Sequence, residues 1–350
     1  MNYWARIHFS VKPKTSLLLP AVVALLIFPL HATETAYDRA AAKAKFKRPA
    51  EPPFPKDNSF SPAREVLGKA LFFDPRLSGA NSTACASCHN PAFSWGDALP
   101  LGVGFGSKEL GRRTPTILNV AWGEEYFWDG RASALEEQAL GPIKSAGEMN
   151  MPLDKMVAKV SAIEGYKPLF EKAYPNEGIN EKTVAKAIAT FERTVVSGTA
   201  PFDEWVNGRE NAISDSAKHG FDLFNTKALC VQCHAGWNFT DDGFHDIGVA
   251  DNDIGRGKIL PQIAAVQHAF KTPTLRNVAQ RRPYLHNGSE KNLEEVMKFY
   301  NQGGAAKRDS VDINIRPLNL TDQEMRNLCD FMLTLSSCDN PVTIPTLPNE

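Results

Sequence analysis

Apolar residues along this chain recur mainly with the three-to-four-residue spacing of amphipathic helices. In the segment 181–196, for example, Val184 and Ile188 lie on the same helical face. Alternating apolar and polar positions, which are typical of strands, are sparse. The pattern therefore predicts a mainly α fold. The predicted helices cover 61–71, 135–140, 152–174, 181–196, 215–224 and a C-terminal segment that starts at Thr321.

The first 32 residues have a different pattern. Three basic and no acidic residues accompany an apolar run at 16–30, which ends near Ala32, a small residue that suits signal peptidase. Two prolines interrupt the run, which is also short for a membrane span. Residues 1–32 are thus predicted to be a cleaved export signal, with an uncleaved anchor as the alternative.

The chain has 350 residues, which is enough for two ordinary domains. Charged residues make up 23% and aromatic residues 9%, as in soluble globular proteins, and the formal net charge is −1. No basic stripe indicates nucleic-acid binding, and no cationic amphipathic helix indicates binding to a membrane surface. Small oxidants and other soluble proteins are the expected partners.

Two copies of the motif C-x-x-C-H are the strongest chemical signal in the sequence. Two thiols in this spacing, followed by an imidazole, suit thioether attachment of a c-type haem with the histidine as proximal iron ligand. Two such haems are therefore expected, one in each half of the chain. The predicted haem-binding residues are Cys85, Cys88 and His89 in the first copy and Cys230, Cys233 and His234 in the second, with His89 and His234 as the iron ligands.

Zinc sites and thioredoxin-like redox sites also use paired cysteines. Structural zinc sites usually draw four ligands from one compact unit, whereas these pairs lie about 145 residues apart. A thioredoxin-like pair would follow a β-branched strand, and neither pair does. Both alternatives are weaker than haem attachment. The remaining cysteines, Cys329 and Cys338, could form a disulfide or stay free, and the sequence does not decide between the two.

The chain contains an internal repeat. Thr114-Pro115-Thr116 matches Thr272-Pro273-Thr274, and Leu135-Glu136-Glu137 matches Leu293-Glu294-Glu295 in the same register. The repeat predicts two cytochrome c-like haem domains related by internal duplication. The predicted parts of the chain are a signal peptide at 1–32, a loosely ordered arm at 33–60, an N-terminal haem domain at 61–200, a turn-rich linker at 197–211, a C-terminal haem domain at 212–338 and a Pro-rich tail at 339–350.

The repeat also allows the two haem sites to be compared on the side opposite the proximal histidine. Tyr300 in the second half aligns with Pro142 in the first, and no histidine follows the first motif for about 130 residues. If Tyr300 approaches the second iron, its counterpart at the first cannot ligate, so the first haem is predicted to be open to a small oxidant. Met297 and His286 are the alternative ligands of the second iron. Met149, Met151 and Met156 could in principle ligate the first iron and are interpreted as core or pocket residues.

Three further residues are candidates for chemistry near the first haem. Glu148 and Gln138 flank Pro142, and a buried Glu148 could move a proton between the two peroxide oxygens as a general acid and base. Trp128 lies between the matched motifs and could carry electrons between redox centres. Each has a plainer alternative, since the first two could be solvated surface residues and the tryptophan could belong to the core.

Together these motifs resemble the bacterial dihaem cytochrome c peroxidase family, which includes MauG, over about residues 60 to 335. The resemblance implies that peroxide reacts at the haem bound by His89, that the haem bound by His234 passes or stores electrons, and that Trp128 lies between them. It also assigns Glu148, Gln138 and Pro142 to the catalytic site and His245 to cofactor binding. Further matching motifs are Phe127-Trp128-Asp129-Gly130-Arg131-Ala132, Phe244-His245-Asp246-Ile247-Gly248 and Pro283-Tyr284-Leu285-His286-Asn287-Gly288.

Two positions resemble MauG more than an ordinary peroxidase of this family. The loop 104–106 reads Gly-Phe-Gly and lacks the removable distal histidine of ordinary peroxidases, and Tyr300 stands where they have methionine. An anionic phenolate favours a more oxidised iron than a thioether does. The resemblance thus favours a MauG-like enzyme over a plain peroxidase.

The resemblance also implies where the protein acts and on what. It implies a periplasmic enzyme that uses hydrogen peroxide and withdraws electrons from a protein partner. That partner is a methylamine dehydrogenase precursor, whose tryptophan tryptophylquinone cofactor MauG completes, or else a small cytochrome c or cupredoxin. An electron-transfer dihaem cytochrome without catalysis is the alternative from a different class.

The implied cofactors are two covalently bound haem c groups. Family members commonly also hold calcium between their domains, using an asparagine just before the first Thr-Pro-Thr segment. This chain has Arg113 there, and arginine does not ligate calcium. The resemblance therefore leaves the calcium site open, either rebuilt from carbonyl oxygens and water or missing.

Overall fold

The computed structural model describes residues 37–338 and 341–349. In this part of the chain α-helices dominate, and the sheet consists of two short antiparallel strands, as the mainly helical pattern predicts. The helices are α1 (Arg39–Ala44), α2 (Pro62–Phe72), α3 (Cys85–Cys88), α4 (Leu135–Lys144), α5 (Leu153–Ala162), α6 (Tyr166–Ala173), α7 (Glu181–Thr194), α8 (Pro201–Val206), α9 (Asp215–Asn225), α10 (Leu293–Asn301) and α11 (Asp322–Leu333). The strands are β1 (Phe244–His245) and β2 (Phe270–Lys271).

The first half is built on the crossing of α2 and α7. Ser61 caps α2 by accepting a 3.2 Å hydrogen bond from Arg64 N, and Pro62 is the first helical residue, so the predicted helix start is confirmed. Where the helices cross, a side chain at Gly68 would collide with the carbonyl oxygen of Ala187. The missing side chain at Gly68 therefore sets how closely the two helices approach.

The second half repeats this arrangement with α9 and α11. Gly220 on α9 faces the carbonyl oxygen of Asn327 on α11, again with no room for a methyl group. Thr321 caps α11, and Glu324 completes the capping box that the sequence predicts. The two halves thus close their cores with the same kind of helix pair.

Replacing Gly68 by alanine should destabilise the protein, because the new methyl group meets a backbone oxygen rather than a side chain that can move. Overpacking of this kind costs about 1–3 kcal/mol, occasionally more. The matched control is Gly111→Ala, since nothing lies within 4 Å of a Cβ at that position. Urea unfolding of the haem-loaded protein should show the loss for Gly68→Ala alone. Equal stability of the two variants would contradict this account of the crossing.

The duplication extends to the backbone around the repeated motifs. Asn119 and Asn277 occupy equivalent positions, and both adopt the left-handed conformation, with φ of 60° and 55°. The helices α4 and α10 begin at the matched residues Leu135 and Leu293. The prediction of two cytochrome c-like halves related by internal duplication is confirmed.

Polar side chains tie the two halves together near the repeated asparagines. Asn119 Nδ2 donates to Asn238 Oδ1, and Asn277 Nδ2 donates to Ser94 Oγ, each over 3.1 Å. Each asparagine therefore binds a residue of the opposite half. This reciprocal arrangement fixes the segments that line the space between the two C-x-x-C-H motifs.

The expectation of a loosely ordered arm at 33–60 is wrong for the described part of that segment. Residues Arg39–Ala44 form α1, and Phe46 is fully buried, with its ring 4.8 Å from the ring of Phe239. The Pro- and Lys-rich composition hides this, although Phe46 packs in the core of the second half and Arg39 and Arg48 bind Asp222 and Ser197 O.

Two other boundaries also differ from the sequence prediction. The expected linker 197–211 contains α8, whose Phe202 and Trp205 are fully buried in the core of the second half. The expected single helix at 152–174 is divided into α5 and α6, because the backbone leaves the helical conformation at Ile163. Contacts with residues distant in sequence override the local pattern in both places.

The predicted signal peptide at 1–32 lies outside the described residues, and so do residues 339, 340 and 350 of the predicted tail. Among the described residues, no helix is both long enough and apolar enough to span a membrane. Cys329 and Cys338 are not joined in this structure, where both are free thiols.

Candidate functional site

One cavity of about 710 Å³ reaches both C-x-x-C-H motifs. Residues from both halves line it, including both Thr-Pro-Thr segments. The structure therefore brings the predicted haem-binding residues of the two halves to a shared space. The lining residues that belong to the motifs are Cys85, Cys88, His89, Cys230, Cys233 and His234.

A backbone carbonyl group orients each motif histidine. His89 Nδ1 lies 3.2 Å from Trp95 O, and His234 Nδ1 lies 2.9 Å from Phe239 O. A proton on Nδ1 makes this hydrogen bond and leaves the Nε2 lone pair for a metal. Burial lowers the pKa of both imidazoles, which favours the neutral form that binds iron. The geometry fits two proximal iron ligands.

The motif thiols fit thioether attachment better than zinc binding. Cys85 and Cys88 are one helical turn apart in α3, so their side chains lie on the same face. Burial raises the pKa of Cys88 to about 11 and that of Cys230 to about 12, so these groups are thiols rather than thiolates. Within the described residues the two cysteine pairs do not converge into one metal cluster. The residues present fit two haem c groups.

His245 lies beside the second motif, close to Cys233 and Asp241. Its Nε2 is 2.9 Å from Asp241 Oδ2, and its Nδ1 is 2.6 Å from Asp312 Oδ2. The hydrogen bonds with Asp241 and Asp312 raise the pKa of His245, which favours the protonated ring. With both nitrogens engaged, His245 supplies charge beside the second pocket rather than a lone pair to iron.

The first half contributes Gln138, Pro142 and Glu148 to the cavity wall. Glu148 is half-buried, and within the described part of the chain its carboxylate has no hydrogen bond or ion pair. Its charge acts on the Cys88 thiol, which places it on the side of the first motif. The one histidine that this half contributes to the described wall is His89. A carboxylate without a partner is thus available near the first haem pocket.

The loop 104–106, which lacks a histidine, packs against the segment that carries Glu148. Phe105 N donates to Gly147 O over 3.0 Å. A side chain at Gly104 would collide with the same oxygen. The loop therefore holds the backbone next to Glu148 in place.

The second half contributes Tyr300, on α10, at the position where α4 contributes Pro142. Within the described residues the Tyr300 hydroxyl has no hydrogen-bond partner. Burial raises the pKa of Tyr300. The phenolate is therefore favoured only when a cation binds its oxygen, as a ferric iron does.

Of the alternative ligands, His286 is already engaged. Its Nε2 lies 2.7 Å from Asp251 Oδ2, and its ring stacks on that of Phe270 with centroids 3.5 Å apart. Met297 is buried and lines the same cavity. Met297 is therefore the next candidate after Tyr300.

Trp128 joins the two halves. Its Nε1 donates to Arg113 O over 2.8 Å, and its carbonyl oxygen accepts a hydrogen bond from Lys271 N over 2.8 Å. The indole is half-buried, lines the cavity and lies 6.4 Å from the ring of His286. A redox role for Trp128 is consistent with this position and stays a prediction.

Sequence reasoning missed two buried charged residues of the cavity wall, Glu192 and Arg281. Burial raises the pKa of Glu192 to about 8, so its carboxyl group is mostly protonated at neutral pH. Glu192 belongs to the polar face of α7, which the helical pattern assigns to solvent. In the structure this face packs against α4, where Arg193 binds Glu136 over 2.7 Å. No local signal in the sequence marks such a buried polar face.

The residues at the expected calcium position do not fit calcium. Arg113 is buried there, and its Nη2 donates to Arg281 O over 2.6 Å. Calcium requires six to eight oxygen ligands, and here a cationic side chain already binds a carbonyl oxygen.

The comparisons with known proteins agree on one family. Residues 62–211 match the family described as di-haem cytochrome c peroxidase, and residues 217–336 match cytochrome c. The chain is 49% identical to methylamine utilization protein MauG of Methylorubrum extorquens, over 89% of this chain and 89% of that protein. It is 44% identical to MauG of Methylophilus methylotrophus, over 93% of this chain and 98% of that one. A solved structure of a MauG-like protein associated with microbial copper homeostasis has a TM-score of 0.77 at 29% identity. The match covers 83% of this chain and 94% of the chain in that structure.

Proposed function

The chain belongs to the di-haem cytochrome c peroxidase family, and from that premise we propose that it is a MauG-like enzyme that oxidises a partner protein with hydrogen peroxide. As a member of this family it is a dihaem oxidoreductase that carries two covalently bound haem c groups and acts with peroxide. The observation that carries the more specific proposal is the difference between Pro142 and Tyr300 at equivalent positions.

Peroxide reacts in the first half. The haem that Cys85, Cys88 and His89 would hold would supply the reduction of peroxide. Pro142 offers no side-chain ligand at the distal position, and Glu148 and Gln138 line the same wall. The Glu148 carboxylate accepts a proton from one peroxide oxygen and returns it to the other, so that water is the leaving group.

The second half delivers the electrons. Trp128 lines the cavity that reaches both motifs, which supports a role for its ring in passing electrons between the two haems. Tyr300 would hold the iron of the second haem through its phenolate oxygen, which would favour a more oxidised iron than methionine does. The two halves thus use one haem-binding motif for two tasks.

The proposed partner is a methylamine dehydrogenase precursor, and the product is its tryptophan tryptophylquinone cofactor. Similarity to proteins named for methylamine utilization over most of the chain supports this partner. Tyr300 and the histidine-free loop 104–106 support it as well. The second candidate is a peroxidase that uses a small cytochrome c or a cupredoxin as reductant, which the name of the matching family favours.

We place the enzyme in the periplasm. Covalent haem attachment in bacteria takes place outside the cytoplasm, and residues 1–32 have the composition of an export signal. The periplasm also holds the soluble redox proteins that are candidate partners.

In the test, the haem-loaded protein and hydrogen peroxide are mixed with one of two partners in parallel samples. One partner is a quinone-free methylamine dehydrogenase precursor, and the other is a reduced small cytochrome c. We expect the precursor to gain quinone absorbance and methylamine oxidation, with slower oxidation of the cytochrome. Rapid oxidation of the cytochrome with no change in the precursor would contradict the proposal and favour the plain peroxidase.

Replacing Trp128 by phenylalanine should separate the two half-reactions. Oxidation of the precursor should slow at least about tenfold, equivalent to ~1.4 kcal/mol, while the reaction with peroxide continues. Trp122→Phe is the matched control, because the Trp122 ring packs 4.6 Å from Trp237 and lies outside the cavity wall. If both variants oxidise the precursor equally fast, Trp128 is not on the electron path.

A further inference from the structure

Two arginine side chains are buried between the halves with no carboxylate beside them. Arg113 and Arg281 are each 6% exposed, and both line the cavity that reaches the two C-x-x-C-H motifs. Among the residues that the structure describes, no aspartate or glutamate forms an ion pair with either one. Buried arginines are normally paired, because an unpaired buried charge is costly.

Both guanidinium groups bind only backbone carbonyl oxygens. Arg113 Nη2 donates to Arg281 O over 2.6 Å. Arg281 Nη2 donates to Thr274 O and to Arg276 O, each over 2.7 Å. Within the described chain, the Nε–H group of each arginine has no partner. The carbonyl groups hold the cations in place without neutralising them.

The two positive charges also act on each other. Burial lowers the pKa of Arg113, and burial together with the charge of Arg113 lowers the pKa of Arg281 to about 9. Asp97, the carboxylate that acts on Arg113 from a distance, accepts its hydrogen bonds from Thr114 and from the backbone of Leu99 instead. An arginine pair of this kind is expected where an anion from outside the polypeptide completes the site.

We propose that Arg113 and Arg281 form a cationic site that binds the carboxylates of the haems and takes the place of an interdomain calcium ion. Thioether attachment uses the vinyl groups of a haem and leaves its two propionate groups ionised. Both arginines line the cavity that receives the haems, so these carboxylates are the anions within reach. Arginine suits the role because its planar group binds a carboxylate through two parallel hydrogen bonds.

The same arrangement excludes calcium. A divalent cation needs free oxygen ligands, and the guanidinium group of Arg113 already binds Arg281 O. Calcium would also lie next to two buried positive charges, which repel it. In this chain the positive charge between the two halves therefore belongs to arginine side chains and not to a calcium ion. This inference rests on the two attached haems and not on the identity of the oxidised partner.

The first measurement needs no variant. The haem-loaded protein is dialysed against calcium and then against calcium-free buffer, and its calcium content is measured by elemental analysis with and without EGTA. We expect far less than one calcium per chain and the same haem absorption and reduction potentials in both samples. About one calcium per chain that EGTA removes, with a change in the potentials, would overturn the proposal.

The second measurement compares Arg281 with its exposed neighbour Arg282. Arg281→Gln removes a buried positive charge and should lower the haem reduction potentials, because the oxidised haem is then less destabilised. Arg281→Lys keeps the charge and should keep the potentials closer to those of the unaltered protein, and Arg282→Gln should leave them unchanged. If Arg281→Gln and Arg282→Gln have the same potentials, the proposal fails. If Arg281→Gln does not fold, Arg113→Gln provides the same comparison.

Discussion

Replacing Glu148 by glutamine should slow the reaction of the haem-loaded protein with hydrogen peroxide by about 10²-fold. Glu148 is a half-buried carboxylate in the cavity wall, on the side of Cys88, with no partner in the described chain. It is therefore free to accept a proton from one peroxide oxygen and to return it to the other. Glutamine fills the same volume but does not accept and return a proton. Stopped-flow absorbance at increasing peroxide concentration measures the bimolecular rate.

The control for this prediction is Glu171→Gln, because Glu171 lies on α6 in the same half and is exposed to solvent. Its rate should equal that of the unaltered protein. The haem content and the ferric spectrum of both variants should be unchanged, which separates slow chemistry from a damaged pocket. An unchanged rate for Glu148→Gln would mean that the proton moves through water instead, and the role assigned to Glu148 would be wrong.

Replacing Tyr300 by phenylalanine should change the second haem and leave the first as it is. The variant loses the anionic ligand, so the ferric spectrum of the second haem should lose its low-spin character. The reduction potential of that haem should rise, because a phenolate stabilises oxidised iron. Oxidation of the partner protein should also be lost, because the second haem no longer has its phenolate ligand. Redox titration followed by absorbance and by electron paramagnetic resonance measures both changes.

Tyr284→Phe is the matched control for Tyr300→Phe. Tyr284 also lines the cavity, but its hydroxyl group already donates to Val278 O over 3.1 Å. Its loss should leave both haem spectra unchanged. If Tyr300→Phe has no effect on the second haem, another residue is the ligand. Met297 would then be favoured, since Asp251 and Phe270 hold His286.

Local signals in the sequence predict much of the fold and most of the site. The caps at Ser61 and Thr321 mark real helix starts, because a cap depends only on residues of its own turn. The repeat places Pro142 and Tyr300 at equivalent positions, and the structure puts both on matched helices in one cavity wall. The C-x-x-C-H spacing is itself a local geometric requirement, so it is visible without any knowledge of packing.

Packing between distant segments accounts for what the sequence does not reveal. Phe46 docks a polar segment onto the second half, and Trp205 is buried in a stretch that otherwise resembles a linker. Glu192 and Arg281 have ionisable side chains, which are usually assigned to solvent, yet both line the cavity. Their burial depends on how α7 meets α4 and on how the two halves meet, and neither contact has a signature in the sequence.

The central claim is that one binding motif, used twice, gives two different haems because α4 presents Pro142 where α10 presents Tyr300. Electron paramagnetic resonance of the ferric, haem-loaded protein tests it most directly. The account predicts one high-spin signal from the first haem, whose distal side is open, and one low-spin signal from the second haem, ligated by His234 and Tyr300. Two low-spin signals would show that the first haem is closed to peroxide and would contradict the account.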